Sequence, residues 1–353
     1  MEREIAIKIT TGNPTWPLLR QTPGSNGVWN NCHFYVNTNI SKCDFWVIYD
    51  CLPKKERVAC PPQNTIFITA EPPNIRNYEK KFVSQFGHVI TCHKNLECAD
   101  VISSQQALSW IVGAHYNMKE NRFDRFSKDY DELKSIEIRK MPKDKILSIV
   151  TSHKRGTAGH AQRMKFVEYC KQQLGDDFDI FGSGLNHIGD KWDGLAPYKY
   201  CLAIENTSCK DYWTEKISDA FLSGAHPFYF GCTNIHDYFP KDSLTLIDIY
   251  NPEKAVEIIK KTITLNAYEK NIESLEKAKN LALDEYNLFP MLAKLCNTLS
   301  SKELLSDNKQ TVQLKPEKTD GNIVRRTAKR LLGRKNYRLV SEKIKSILRS
   351  KPV

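Results

Sequence analysis

From Ile146 to Phe230 the chain alternates short apolar runs with stretches of helical length, and no other feature restricts its fold as much. ILSIVT at Ile146–Thr151 predicts a buried strand. A polar, glycine-bearing loop, SHKRGTAG, leads into a helix over His160–Leu174 that Gly175 closes. FDIF at Phe178–Phe181 predicts the next strand, stopped by Gly182-Ser183-Gly184, a short glycine pattern to which little weight attaches. Tyr200–Ile204 and Pro227–Phe230 predict two more strands, with a helix over Thr214–Ser223 between them and Gly224 as its stop. Strand–helix–strand units with short connections favour a parallel sheet covered by helices. Leu244–Asp248 adds a strand, and Pro252–Ser300 reads as helical with a break at Pro290.

The first half repeats the theme. Ile5–Ile9, Phe45–Asp50, Thr65–Thr69 and His88–Thr91 predict strands, and Arg76–Phe86 a helical stretch. Asn117–Lys145 is rich in charge, shows no strand pattern and ends in Met141-Pro142, where a domain boundary is expected. A length of 353 residues suits two α/β domains plus extra segments. The expected organisation is a first domain over 1–140, a second over 141–300, a polar linker over 301–321 and a basic tail over 322–353.

Charge separates that tail from the body. Residues 322–353 hold eleven bases and one acid, so they account for +10 of the net +11. The body is nearly neutral and gives no electrostatic support to nucleic-acid binding. Val324, Ala328, Leu331 and Leu332 share one helical face of the tail, and Val340, Ile344, Ile347 and Leu348 another. A basic amphipathic helix suits an anionic membrane surface; a solvated tail and a self-association helix are the competing readings. No apolar run reaches the roughly 18 residues of a membrane span, and the start shows no signal-peptide pattern. The eleven cysteines are scattered without a C-x-x-C pair, which argues against a disulfide scaffold; Cys92, His93 and Cys98 read as ordinary residues rather than a metal site. The expected setting is reducing and cytoplasmic.

Ligands of parallel sheets bind beyond the carboxyl ends of the strands. Three polar clusters fall there. Glu205-Asn206-Thr207 follows the strand ending at Ile204, and Tyr212 precedes a helix that Thr214 caps, with Glu215 and Lys216 in its first turn. Glu215 suits the positive helix end, whereas Lys216 makes sense if an anion is held there; a solvent-facing lysine is the alternative. Ser152, His153, Lys154 and Arg155, with Gly156, Gly159 and Arg163, form a basic loop before a helix, a phosphate cradle by type and a solvated loop by the plainer reading. Glu71, fixed by Pro72-Pro73 after a strand, either faces a cleft between the domains or sits in a surface turn. His153, His160 and His226 have no partner spacing and are given no catalytic role.

The run Tyr198–Thr207, YKYCLAIENT, followed by DYWTEKISDAFLSGAHPFYFG, resembles the α-1,3-fucosyltransferase family of bacterial type. The resemblance implies a GT-B architecture, two Rossmann-like domains facing across a cleft. The second would bind GDP-fucose and the first an acceptor glycan of the N-acetyllactosamine or lipopolysaccharide kind. Carried over by position, Glu71 would be the general base and Arg163 and Lys216 would neutralise the diphosphate. Glu215 and Tyr212 would contact the ribose or donor sugar, Asn206 would shape the donor pocket, and Ser152 and Glu205 would complete it. No metal site or cofactor is implied, a divalent cation having at most an assisting role. The basic tail would place the enzyme at the inner face of the membrane. A transferase of another nucleotide sugar, or a non-catalytic nucleotide- or nucleic-acid-binding protein using the tail, is the alternative.

Overall fold

A computed structural model describes residues 3–96, 100–153, 155–302 and 310–317. The basic tail, Cys98 and Lys154 lie outside the described residues. The chain forms two α/β lobes. The first sheet takes β1 (Ile5–Thr11), β2 (Val28–Trp29), β3 (Cys32–Val36), β4 (Phe45–Tyr49), then, after the separate strand β5 (Glu56–Ala59), β6 (Thr65–Ile68), β7 (His88–Thr91) and β8 (Asp100–Ser103). Its order is β2-β3-β1-β4-β6-β7-β8, parallel except for the β2–β3 pair. The continuous apolar runs mark strands covered on both faces: every residue of β4 and β6 is buried.

A hairpin of β9 (Ala114–Asn117) and β10 (Arg122–Phe126) and the helix α2 (Tyr130–Ser135) connect the lobes. This corrects the strandless reading of the charged stretch. The hairpin residues are mostly half-buried or exposed, so their sequence carries no buried-strand run. The helical stretch expected over Arg76–Phe86 shrinks to one turn, α1 (Lys80–Val83).

The second sheet uses β11 (Lys145–Val150), β12 (Phe178–Phe181), β13 (Tyr198–Ile204), β14 (His226–Phe230) and β15 (Thr245–Leu246), all parallel, in the order β12-β11-β13-β14-β15. Its helices are α3 (Ala158–Leu174), α4 (Lys191–Leu195), α5 (Glu215–Leu222), α6 (Pro252–Thr264), α7 (Ala267–Lys270) and α8 (Ile272–Asp284). The order reverses between β11 and β13, which sets a crevice at their carboxyl ends.

The chain then crosses back. In α9 (Leu288–Lys302), Leu288, Phe289, Leu292, Ala293 and Cys296 recur on one helical face and join the core of the first lobe. Phe289 meets Phe34 edge-to-face at 4.9 Å. Pro290 does not break this helix: it sits in the first turn, where its missing N–H costs nothing, and the interruption falls at 285–287. The polar stretch expected as a linker contains β16 (Thr311–Leu314), which pairs antiparallel with β5. The two-lobed α/β architecture expected from the sequence is thus present, with its final described segments returned to the first lobe.

Candidate active site

The crevice of the second lobe is built by two backbone approaches. Gly159, in the first turn of α3, lies so near the loop after β13 that a Cβ there would stand 1.9 Å from the Asn206 carbonyl oxygen. Gly182 holds φ +132°, and a Cβ would stand 1.6 Å from the Thr151 carbonyl oxygen. The glycine pattern after β12, given little weight above, is therefore required for β12 to end beside β11. These contacts bring the N-terminal end of α3 against Asn206, so that Arg163 reaches across the crevice.

Arg163 is buried. Its Nη1 donates to Asn206 Oδ1 at 2.5 Å and its Nη2 to the Ser152 carbonyl oxygen at 3.1 Å. Burial pulls the guanidinium below its ordinary pKa, with Glu205 and Glu215 opposing. Thr214 caps α5 as expected, its hydroxyl accepting from the Lys216 N–H. Lys216 Nζ lies 3.0 Å from Glu205 Oε2, 2.9 Å from Thr214 Oγ1 and 3.4 Å from Glu215 Oε1. The unfavourable place of a cation at a helix start is thus met inside the protein. Burial works against the charge on Lys216, yet Glu205 and Glu215 raise its pKa.

Glu205 does not line the cavity, contrary to the expectation that it contacts the donor. Its side chain is wholly inaccessible and accepts from the Thr214 N–H at 2.9 Å and the Thr214 hydroxyl at 2.8 Å. It positions the cap and the lysine. Glu215 does face the cavity. Burial opposes its ionisation, but Lys216 and Lys191 hold its pKa down at about 2.

The basic loop is only partly a cradle. Ser152 holds Arg163, whereas Arg155 is ion-paired with Glu168 and exposed. The cation that takes its place was missed in the sequence. Lys191 Nζ lies 2.8 Å from Asp219 Oδ2 and 3.6 Å from Glu215 Oε1. Asp219 also accepts from the N–H groups of Ile111 and Val112, at 2.8 and 3.0 Å, tying α5 to the segment before the hairpin. That segment is pinned from the first lobe by Arg20, which donates to the carbonyls of Trp110, Val112 and Lys128. An aspartate midway along a predicted helix carries no sequence signal for this contact.

Two cavities meet here. One, of about 440 Å³, is lined by Ser152, His160, Arg163 and Lys191 of the second lobe and roofed by the hairpin. The other, of about 330 Å³, lies toward the first lobe and is lined by Trp16, Asp50, Glu71, Trp110 and Tyr212. Asn206, Glu215 and Lys216 line both. Glu71 is therefore on the cleft and not in a remote surface turn. Its backbone is fixed from both sides: the N–H donates to the Tyr78 hydroxyl at 3.4 Å, and the carbonyl oxygen lies 2.9 Å from His93 Nε2. Tyr212 is buried beside it, and burial first, then Glu205 and Glu71, push its phenol far above the usual range. The cysteines are less scattered in space than in sequence, since Cys92 of the first lobe lies near enough to Cys209 of the second for the two thiols to shift each other, Cys92 up and Cys209 down. Among the described residues no group of three His, Cys, Asp or Glu side chains is arranged to hold a metal ion.

Residues 140–313 match the family model described as Glycosyltransferase family 10 (fucosyltransferase) C-term. Curated relatives include α-(1,3)-fucosyltransferase B of Drosophila melanogaster, 41% identical over 69 residues, covering 19% of this chain and 16% of that protein. The α-(1,3)-fucosyltransferase FucT of Helicobacter pylori is 38% identical over 93 residues, 25% of this chain and 20% of that one. The GDP-fucose protein O-fucosyltransferase 3 of Xenopus tropicalis is 35% identical over 92 residues, 26% and 18% respectively. The chain thus spans a fifth or less of the length of these relatives. A crystal structure of an α1,3-fucosyltransferase aligns with a TM-score of 0.48 at 20% identity, covering 86% of this chain and 93% of that one.

Proposed function

We propose that this chain, whose residues 140–313 match the model of glycosyltransferase family 10, is an inverting α-1,3-fucosyltransferase that moves L-fucose from GDP-fucose to a hydroxyl of an acceptor glycan. The observation that carries the reading is the meeting of a cation-lined cavity and a carboxylate-lined cavity at Lys216. In this scheme the nucleotide diphosphate lies in the first cavity against Arg163 and Lys216, and the acceptor lies in the second against Glu71. The acceptor oxygen attacks the anomeric carbon while Glu71 takes its proton. The bond from that carbon to the diphosphate breaks, and its electron pair leaves with the phosphate oxygen. Lys216 and Arg163, already fixed by Glu205, Asn206 and Ser152, meet the growing charge without reorganising. The reading asks for no metal ligand from the protein, and a cation travelling with the nucleotide only assists.

Tyr212 and Glu215 are assigned to the donor sugar or ribose, with Asn206 shaping the pocket between the two cavities. The tail, with its +10 charge, is assigned to an anionic membrane surface on the cytoplasmic side. The linkage is assigned by resemblance, and product analysis decides it against the 1,4 alternative. The test is transfer of label from GDP-fucose to N-acetyllactosamine. GDP is expected to raise the melting temperature more than UDP or ADP. Glu71→Gln is expected to abolish turnover while GDP still stabilises the variant. No transfer to any glycan, or full activity in Glu71→Gln, overturns the reaction or the base respectively.

A further inference from the structure

The first sheet has a strand-order reversal of its own. β1 has β3 on one side and β4 on the other, so the crevice expected of such a sheet opens at the carboxyl ends of β1 and β4. The loop after β1 supplies Trp16, and the residue after β4 is Asp50; both line the 330 Å³ cavity beside Glu71. The transfer scheme gives Asp50 no task. Its backbone is left-handed (φ +69°), which is uncommon for a residue with a side chain, and its N–H is held by the Ile68 carbonyl at 3.0 Å.

A chain of contacts holds this aspartate and the Glu71 turn together. Arg76 Nη1 donates to Asp50 Oδ1 at 3.3 Å, and Arg76 Nη2 to Glu317 Oε2 at 2.6 Å. The other Glu317 oxygen accepts from the Glu79 N–H at 2.7 Å. The Arg76 guanidinium lies 4.5 Å from the centre of the Tyr78 ring, whose hydroxyl accepts from Ala70 and Glu71. Glu317 arrives from the far end of the chain, placed by the β16–β5 pairing. Asp50 and Glu317 thus share one guanidinium, and Glu71 stands near enough to Asp50 to oppose its ionisation. Arg20 and Lys216 also line this cavity, but protein oxygens already hold both; a wall with Asp50, Glu71 and two indoles, Trp16 and Trp110, suits a neutral polyhydroxy ligand.

We propose that Asp50 orients the acceptor: its carboxylate accepts a hydrogen bond from a second hydroxyl of a neutral saccharide whose attacking hydroxyl faces Glu71. Arg76 and Glu317 are positioning residues that hold Asp50 in place. The inference deepens the transferase reading and rests on it for the role of Glu71.

The experiment titrates N-acetyllactosamine by calorimetry into the GDP-loaded protein and measures transfer kinetics on the same samples. Asp50→Asn is expected to weaken disaccharide binding about tenfold, the loss of one charge-assisted hydrogen bond. Its acceptor KM follows, while affinity for GDP and the KM for GDP-fucose stay within about twofold, which also shows that the variant is folded. Glu317→Gln is expected to weaken the disaccharide about threefold, and Asp50→Asn/Glu317→Gln to be no weaker than Asp50→Asn alone, because both act through one group. Asp50→Glu recovers part of the loss. Unchanged disaccharide binding in Asp50→Asn, an equal loss of GDP affinity, or a wild type that binds no saccharide overturns the inference. A wild type that binds the disaccharide with the expected Asp50 dependence but transfers no fucose overturns the reaction and leaves the Asp50 assignment standing.

Discussion

Replacing Lys216 by Met tests the internal charge balance and the donor site at once. The side chain of Lys216 is one-fifth exposed, but its partner Glu205 is wholly inaccessible, so Lys216→Met leaves a buried carboxylate without its cation. Breaking a buried pair from one side costs roughly 3–5 kcal/mol, and the partial exposure of the lysine sets the expectation at about 3 kcal/mol. Glu205 keeps both hydrogen bonds from Thr214, which also argues for the low end. For a lobe of this size about 3 kcal/mol lowers the melting temperature by about 6–12 °C.

The second variant isolates the cause. In Glu205→Gln/Lys216→Met the glutamine amide oxygen still accepts from Thr214, and the carboxylate that Lys216 balanced is gone. Most of the lost stability is expected to return, while fucose transfer stays depressed about 10²–10³-fold for want of the cation at the leaving group. Thermal melts of the two variants and wild type, with GDP-fucose turnover on the same preparations, decide the matter. A Lys216→Met melt equal to wild type, a double variant no more stable than the single one, or transfer that recovers with stability refutes the reasoning.

The close approach at Gly159 predicts that Gly159→Ala displaces α3 from Asn206, costing about 1–3 kcal/mol in stability and weakening GDP binding, read by melting with and without GDP. Gly156→Ala, where a Cβ meets nothing within 4 Å, is the control expected to change neither. His226 is buried, its Nε2 lies 2.9 Å from Thr245 Oγ1, and burial lowers its pKa from 6.5 to about 4. The unfolded chain takes up a proton below 6.5 that the folded chain refuses until about 4. Stability present above 6.5 is therefore lost as the pH falls across that window, and His226→Gln is expected to flatten the pH dependence of Tm there. Removing residues 322–353 takes away +10 of charge and is expected to abolish co-sedimentation with phosphatidylserine vesicles while transfer to soluble N-acetyllactosamine persists. Retained sedimentation places the membrane contact elsewhere.

What the sequence disclosed follows from which forces act locally. The central strands of the second lobe, β13 and β14, are buried on both faces, so apolar runs marked them, and Thr214 announced the start of α5 because capping depends on residues two or three apart. Lys216 and Arg163 were legible for the same reason: each sits in the first turns of a helix that follows a strand. Long-range pairings left no such mark. TVQL at Thr311–Leu314 has only Leu314 buried and reads as a polar stretch, yet its pairing with β5 is what carries Glu317 to Arg76. Glu205 shows the same limit from the other side. Its place at a strand's carboxyl end suggested contact with a ligand, but that end is also where α5 begins, and the unpaired N–H and the hydroxyl of Thr214 claim the carboxylate first. An acid at a strand end thus has two possible creditors, a ligand or the next helix, and only the burial of its side chain separates them. By that measure Glu205 serves the helix, whereas Asp50, which no helix start follows and which lines the cavity, is left to face what enters it.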